Sequence, residues 1–398
     1  MTTTKRISQG EFIALTAALF AMVAVSIDAM LPALPEIAAA LSPDAPNRAQ
    51  LVITSFVFGM GLGTLFVGPL SDAYGRKPVI YAGAGLYALT AIACYFANSL
   101  EALLISRVLQ GMAVAAARVV SMAIMRDLFK GREMAKIMSF VMMVFIMVPA
   151  VAPLMGQAVI ALAGWHAIFL VYVVIVAVVM LWFGLRQHET LPPQHRRPLD
   201  LRALWASTRE LFTYRIVVVS IAAQTLTMAA LFGSLSSMQG IFEQRFDRAE
   251  SFPLWFAFIA LGSASGSIIN SRVVMRLGMR PVATMAYASV LALTLVLLGL
   301  IATGLMPEVL AFPAHILWSI ALFSMMSMTM GNLNALAMEP VGHIAGLAAS
   351  VMTSVATVLS VVLAVPVGLM FDGTALPLMA GAAVFIAGAL ALMWLIKR

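Results

Sequence analysis

The chain has 398 residues, of which 62% are hydrophobic and only 10% charged, with a formal net charge of +7. A soluble domain carries roughly 45–50% apolar and about 25% charged residues, so too little charge is present to cover a water-facing surface, which argues against a soluble enzyme. The apolar runs continue for ~20 residues, the length of a spanning helix, whereas outer-membrane strands would alternate over ~10 residues, so a porin-like barrel is excluded as well.

Lys5 and Arg6 precede the first apolar stretch in the manner of a signal peptide. The run from Phe12 to Leu34 is longer than the usual ~7–15-residue signal core and contains Asp28, so it reads as a first span. Further apolar segments follow at about 49–71, 78–98, 101–125, 136–162, 166–185, 214–238, 252–274, 281–304, 308–331, 343–368 and 374–396. With the first, at about 12–35, they predict an all-α polytopic membrane protein of twelve transmembrane helices. The longest polar interval, 186–213, holds Pro192, Pro193 and Pro198. It divides the chain into a six-helix bundle at 1–190, a cytoplasmic linker at 191–213 and a second six-helix bundle at 214–398.

Lysine and arginine set the orientation. If the termini are cytoplasmic, nineteen of the 24 basic residues lie on that side, among them Arg76, Lys77, Arg126, Lys130, Arg196, Arg197 and Arg272. Arg48, Arg245 and Arg248 lie opposite, and Arg107 and Arg118 fall inside the fourth span. This asymmetry accounts for the basic charge without a nucleic-acid partner. It orients the chain with both termini on the cytoplasmic side of its membrane.

The halves repeat. Gly59, Gly63, Gly75 and Pro78 recur as Gly262, Gly266, Gly278 and Pro281, all displaced by 203 positions. Parallel repeats of this kind place a ligand site between the halves near the bilayer midplane.

Three charges sit inside spans: Asp28, Arg107 and Arg118. Each costs roughly 2.5–3.5 kcal/mol on insertion scales and is by default a functional candidate. Asp28 and Arg107 are both about 9–10 Å inside the outer boundary at 1.5 Å per residue. They are therefore expected to pair if spans one and four are neighbours. Burial favours the neutral form of a carboxylate and a nearby cation the charged form, and opposed pushes of this sort suit a proton site. The bland alternative is a static ion pair that fixes helix packing. Arg118 lies eleven residues beyond Arg107, hence about 20° round the helix, with Gly111 and Ala115 between them on the stripe. That face is expected to line a substrate cavity, although Arg118 could instead snorkel to the inner boundary.

Met112 and Met228, with Met22, Met147 and Met325, could supply a pliable apolar pocket. Cys94 reads as a buried structural thiol, and His166, His315 and His343 as packed or interfacial side chains. No cysteine or histidine cluster has metal-site spacing, so neither a metal nor a cofactor is expected. Gly262-Ser263-Ala264-Ser265-Gly266 misses the serine at the centre of a hydrolase elbow, and no phosphate-binding loop is present. A passive channel would need a repeated polar stripe, which is missing.

Span two ends in Gly68-Pro69-Leu70-Ser71-Asp72-Ala73-Tyr74-Gly75-Arg76-Lys77-Pro78. This resembles the loop 2–3 signature of the major facilitator superfamily. Leu104 to Gly111 resembles that family's R-x-x-Q-G motif in span four, and Pro149 with Ala152-Pro153-Leu154-Met155-Gly156 is similar to its antiporter motif, with Ala152 and Gln157 in place of glycines. The run Asp28 to Pro35, with Arg126-Asp127-Leu128-Phe129, most resembles the bicyclomycin/chloramphenicol-resistance branch of twelve-span drug:proton antiporters. The resemblance implies two pseudo-symmetric six-helix bundles and multidrug efflux driven by protons. Asp28 and Arg107 would carry coupling; Asp28, Arg107, Gly111, Met112, Arg118 and Met228 would line the cavity. Gly68, Asp72, Gly75, Arg76, Lys77, Asp127, Pro149, Pro153 and Gly156 would serve gating. Asp72 would brace the start of span eleven near Gly342–Ala345, and Asp127 would partner Arg76. The partners implied are a small-molecule substrate, protons and the lipid bilayer, with the protein acting as a monomer. An anionic metabolite carried by symport or export is the alternative that two cavity arginines would suit.

Overall fold

The computed structural model describes residues 7–196 and 198–395. Lys5, Arg6, Arg197, Lys397 and Arg398 of the charge count lie outside the described residues. The described chain is helical throughout its ordered elements. Helix α1 (Gln9–Asp28) continues through a short turn into α2 (Leu34–Leu41), and α3 (Leu51–Tyr74) to α7 (Ala167–Arg186) complete the first half through α4 (Arg76–Tyr95), α5 (Leu100–Leu128) and α6 (Gly131–Ala163). After the linker helix α8 (Leu201–Leu211) come α9 (Arg215–Gln244), α10 (Phe252–Leu277), α11 (Met279–Ala302), α12 (Glu308–Met338), α13 (Ala345–Leu369) and α14 (Leu376–Leu395).

Eleven stretches are long and apolar enough to cross a bilayer. One of them, Glu308–Leu369, has 62 residues and bends at Val341, where φ is −120° and ψ 23°. That is twice a span's length, so α12 and α13 count separately and the spans number twelve. Most of these helices are apolar on all sides, as expected where one face meets protein and the other lipid.

Packing repeats between the halves. In the first, α3 packs on α5, α4 on α5 and α7, and α1 on α6; in the second, α10 packs on α12, α11 on α12 and α14, and α9 on α13. The halves meet along α3 with α13 and along α6 with α10. The repeated glycines explain the match. A Cβ on Gly59 or Gly63 would run into the α5 backbone at Val108 or Met112, and one on Gly266 into the α12 backbone at Ser324. Gly75 (φ 103°) and Gly278 (φ 86°) each join two antiparallel helices in the left-handed region, which side chains resist. A buried hydroxyl pair also recurs: Ser26 with Tyr87, and Thr227 with Tyr287, both at 2.6 Å.

The sequence reading of 191–213 as linker omits α8. That short amphipathic helix has Trp205 72% exposed and Leu211 fully buried against the second half. Gly111 departs from expectation too. A Cβ there would meet the backbone of Phe56 and Met60, so this glycine is a packing contact between α5 and α3 and lines no cavity. Cys94 is buried, and His315 sits 2% exposed among Phe242, Phe246 and Trp318.

Overpacking a close helix contact costs about 1–3 kcal/mol, and more where the obstacle is backbone. Gly111→Val is therefore expected to lower the thermal midpoint of the detergent-purified protein by several degrees. Gly85, which faces open space, should accept alanine without loss. Equal midpoints for the two variants would contradict this packing account.

Candidate functional site

The site begins where α1 breaks. Pro32 has no N–H, so the carbonyl of Asp28 lacks its helical donor. Upstream, the N–H of Met30 donates to Ile27 O at 3.3 Å instead of continuing the α-helical pattern to Ser26. The carbonyl of Ser26 is thereby left without its intrahelical bond in a place shielded from water. Arg107 of α5 fills the gap: its Nη2 donates to Ser26 O at 2.9 Å, its Nε to Val52 O at 3.2 Å and its Nη1 to Gln110 Oε1 at 2.7 Å. The Tyr172 hydroxyl donates to Val25 O at 3.2 Å, and the Phe56 ring lies 4.3 Å beneath the guanidinium. Arg107, 0% exposed, so binds α1, α3 and α5 together.

Asp28 is 5% exposed and makes no hydrogen bond or ion pair among the described residues. The expected pairing with Arg107 is absent. The guanidinium is drawn to the freed carbonyl of Ser26, two residues earlier on α1, and all its hydrogen-bond acceptors are neutral. Arg107 also does not line a cavity, being fully enclosed. An uncompensated carboxylate and an uncompensated guanidinium therefore share one helix junction. Gly156 of α6 closes it from behind, since a Cβ there would strike the carbonyl of Ala29. Pro149 and Pro153 lie in the same helix and each removes one of its hydrogen bonds.

Arg118 is exposed, although Val114, Ala115, Ala117 and Ser121 around it on α5 are buried. It makes no hydrogen bond or ion pair among the described residues. Its stripe is opposite to that of Ile105 and Leu109, which are exposed on the outer side of the helix, so Arg118 points into the bundle's interior space. Met112 is half-buried, and Met228 is buried with its sulfur 3.9 Å from Thr357 Oγ1 of α13.

At the face carrying the linker, Arg76 Nη1 donates to Asp72 at 2.5 Å and its Nε to Asp127 Oδ2 at 3.0 Å. Asp72 does not bond the start of α13; it turns back to Arg76, and a cavity of about 650 Å³ is lined by α3, α5, the linker and the start of α13. Gly68 lines that cavity. Lys77 Nζ donates to Gln187 O at 2.7 Å. Two residues unforeseen from sequence complete the cluster. Glu189 accepts from the backbone N–H of Arg76 at 3.0 Å and of Lys77 at 2.9 Å, capping α4, and Thr190 donates to Asp127 at 2.8 Å. Burial pushes the Glu189 carboxyl up, but the N–H groups of Leu191, Lys77, Arg76 and Thr190 outweigh it and hold it below its ordinary range. The only sequence signal for this cap is a polar residue just after a span, which is too common to single it out.

The opposite face is closed. Asn47 Nδ2 donates to Leu369 O at 3.1 Å and Phe371 O at 2.6 Å, Ser237 donates to Gln50 Oε1 at 3.3 Å, and Gln157 to Glu250 O at 3.1 Å. Among the described residues, every hydrogen bond between the halves lies at this end. Hydrogen bonds thus tie the halves together opposite the linker, while a cavity lies between them at the linker face.

The family model described as Major Facilitator Superfamily matches residues 14–365. The chain belongs to the major facilitator superfamily. It is 31% identical over 385 residues to an uncharacterized MFS-type transporter, YdgK, of Bacillus subtilis, covering 94% of this chain and 92% of that protein. It is 32% identical over 268 residues to a bicyclomycin resistance protein homolog of Haemophilus influenzae, covering 66% of each. A 149-residue stretch is 36% identical to a chloramphenicol resistance protein of Pseudomonas aeruginosa, covering 37% of this chain and 35% of that one. Among solved structures, a D-xylose-proton symporter superposes with a TM-score of 0.78 at 15% identity, covering 98% of both chains. Membership of this family, with its many apolar helices, makes the chain a multi-pass membrane transporter.

Removing the Glu189 cap leaves two backbone donors unpaired, at about 1–3 kcal/mol each if they stay dry. Glu189→Ala should lower the thermal midpoint of this facilitator protein at neutral pH. A lowered carboxylate contributes fully above its ordinary value, 4.5 here, and loses its contribution as pH falls through the lowered value. The gap between wild type and variant should therefore shrink as the melts are taken below pH 4.5. A gap that is constant with pH would rule out the charged cap.

Proposed function

We propose that the protein exports small amphiphilic compounds across the bacterial inner membrane in exchange for protons, with the linker and both termini on the cytoplasmic side. The observation that carries this reading is Asp28, a buried carboxylate without hydrogen bond or ion pair, set where span one breaks and two residues from the Ser26 carbonyl that Arg107 binds. A carboxylate without a fixed partner takes up and releases a proton without first breaking a bond. Its neighbours are also poised to respond, because the Ser26 carbonyl that anchors Arg107 lies two residues away on the same helix. The resistance-protein relatives support a drug-like cargo, and the opening at the linker face suits loading from the cytoplasm or inner leaflet.

In this cycle, substrate binds from the linker side while Asp28 is ionised. Protonation from the opposite side weakens that binding, and the halves 1–190 and 214–398 rock about the 191–213 segment. Ligand and proton must each prefer one facing, or nothing is coupled. The electrical gradient supplies about 2.3 kcal/mol per charge per 100 mV. One copy of the chain carries all of these parts, consistent with a working monomer. Arg118 favours a second reading in which the cargo is anionic, since an unpartnered guanidinium inside the bundle is a ready acceptor for a carboxylate or phosphate.

In everted vesicles holding a proton gradient, chloramphenicol or bicyclomycin is expected to dissipate the gradient, and Asp28→Asn to abolish that response. An intact response in Asp28→Asn overturns the proton role. Arg118→Gln should reduce export of anionic compounds about tenfold, equivalent to ~1.4 kcal/mol, while sparing neutral ones. Uniform loss across a susceptibility panel would instead assign Arg118 to structure.

A further inference from the structure

At the sealed face a second cavity, of about 420 Å³, straddles the two halves. One wall is apolar and comes from the first half: Leu34, Pro35 and Ala38 of α2. The other is the end of α9, where Gln239 and Glu243 stand one helical turn apart and so share a face. Phe371, whose ring packs against Gly240, forms the floor.

The polar groups on this surface match a cation. Glu243 is the one charged side chain among the lining residues; no lysine, arginine or histidine is among them. Gln239 is 4% exposed and its buried side-chain oxygen has no hydrogen-bond partner. A dry unpaired acceptor of this kind costs about 1–3 kcal/mol unless a ligand satisfies it. Asn47, an amide donor in the lining, has both hydrogens committed to Leu369 O and Phe371 O. The Gln50 oxygen already accepts from Ser237. A carboxylate, an orphaned amide oxygen and an aromatic ring, in a pocket whose remaining lining is apolar or uncharged, suit an apolar molecule with one positive charge, which rings and carboxylates both attract. The volume lies within the 300–1,000 Å³ typical of small-molecule sites.

We infer that this seam cavity is a second ligand site, selective for amphiphilic organic cations and distinct from the Asp28 junction. Glu243 supplies the charge and Gln239 the second acceptor. Because the site bridges the halves beside the Asn47 and Gln50 bonds, an occupant touches both bundles where they are closed. As a binding site it stands without the export reading; its position as a release-side station rests on that reading.

The test uses the purified full-length protein in detergent, with no gradient. Ala39 is exposed at the cavity rim, and Cys94 is fully buried, so Ala39→Cys adds one accessible thiol. Tetraphenylphosphonium should slow its reaction with a maleimide, whereas the neutral triphenylphosphine oxide should not. Glu243→Gln should raise the half-protecting concentration at least tenfold, and Gln239→Leu should also raise it; the latter is read if Glu243→Gln misfolds. Asp28→Asn should leave protection intact, which separates failure of this site from failure of the proton reading. Absent protection, equal protection by the neutral compound, or protection indifferent to both α9 substitutions would overturn the proposal.

Discussion

The bond between Arg107 and the carbonyl of Ser26 organises the first half of this protein. In lipid a backbone carbonyl without a donor is expensive, and the proline-rich run after Asp28 guarantees such a carbonyl at the break in α1. A buried guanidinium is equally costly alone. Each defect corrects the other, and the bond pins α1 to α5 through Ser26, with Val52 and Phe56 adding α3. The Gly111 and Gly156 contacts follow from it, since both let a neighbouring helix approach the backbone around the junction.

This exchange leaves Asp28 without a partner. The arginine could have neutralised the acid, as equal depth suggested, but a carbonyl stripped of its helical bond competes for the same donors. The result is a junction in which the acid stays unpaired two residues from the carbonyl that Arg107 binds, so a proton arriving at Asp28 has no hydrogen bond to displace. Any movement that restores or further unwinds the helix at Met30 alters the anchor of Arg107, which links local backbone geometry to the packing of three spans.

The two ends of the bundle are built from different chemistry. At the sealed face, side-chain amides of Asn47, Gln50 and Gln157 cross between the halves, using neutral bonds that can be remade at little cost in desolvation. At the linker face the contacts are ionic: Arg76 joins Asp72 and Asp127, Glu189 caps α4, and His343 at the start of α13 meets Glu210 of the linker helix. No ion pair joins the halves among the described residues, and a cavity lies between them at the linker face.

Span number, the duplicated half and the family were legible in the chain because they rest on local quantities: apolar run length, glycine register and a short motif between spans two and three. Asp28, Arg107 and Arg118 were equally visible, since charge in an apolar run stands out whatever surrounds it, and the Arg76–Asp127 contact followed from the loop motif. Their partners were not. Whether Arg107 meets a carboxylate or a carbonyl depends on which main-chain oxygen the α1 break exposes. Whether Gly111 lines a cavity or seats a helix depends on the crossing of α3 and α5. The Glu189 cap and the Asn47 seal join residues more than a hundred positions apart, so pattern and spacing carry no trace of them. The amino-acid order by itself determined the solvent, the spans and which charges lie within spans, because hydrophobicity is a property of each segment alone; only the tertiary structure decided which of those charges are buried and what they touch, because hydrogen bonds are settled by distances between helices that no single segment contains.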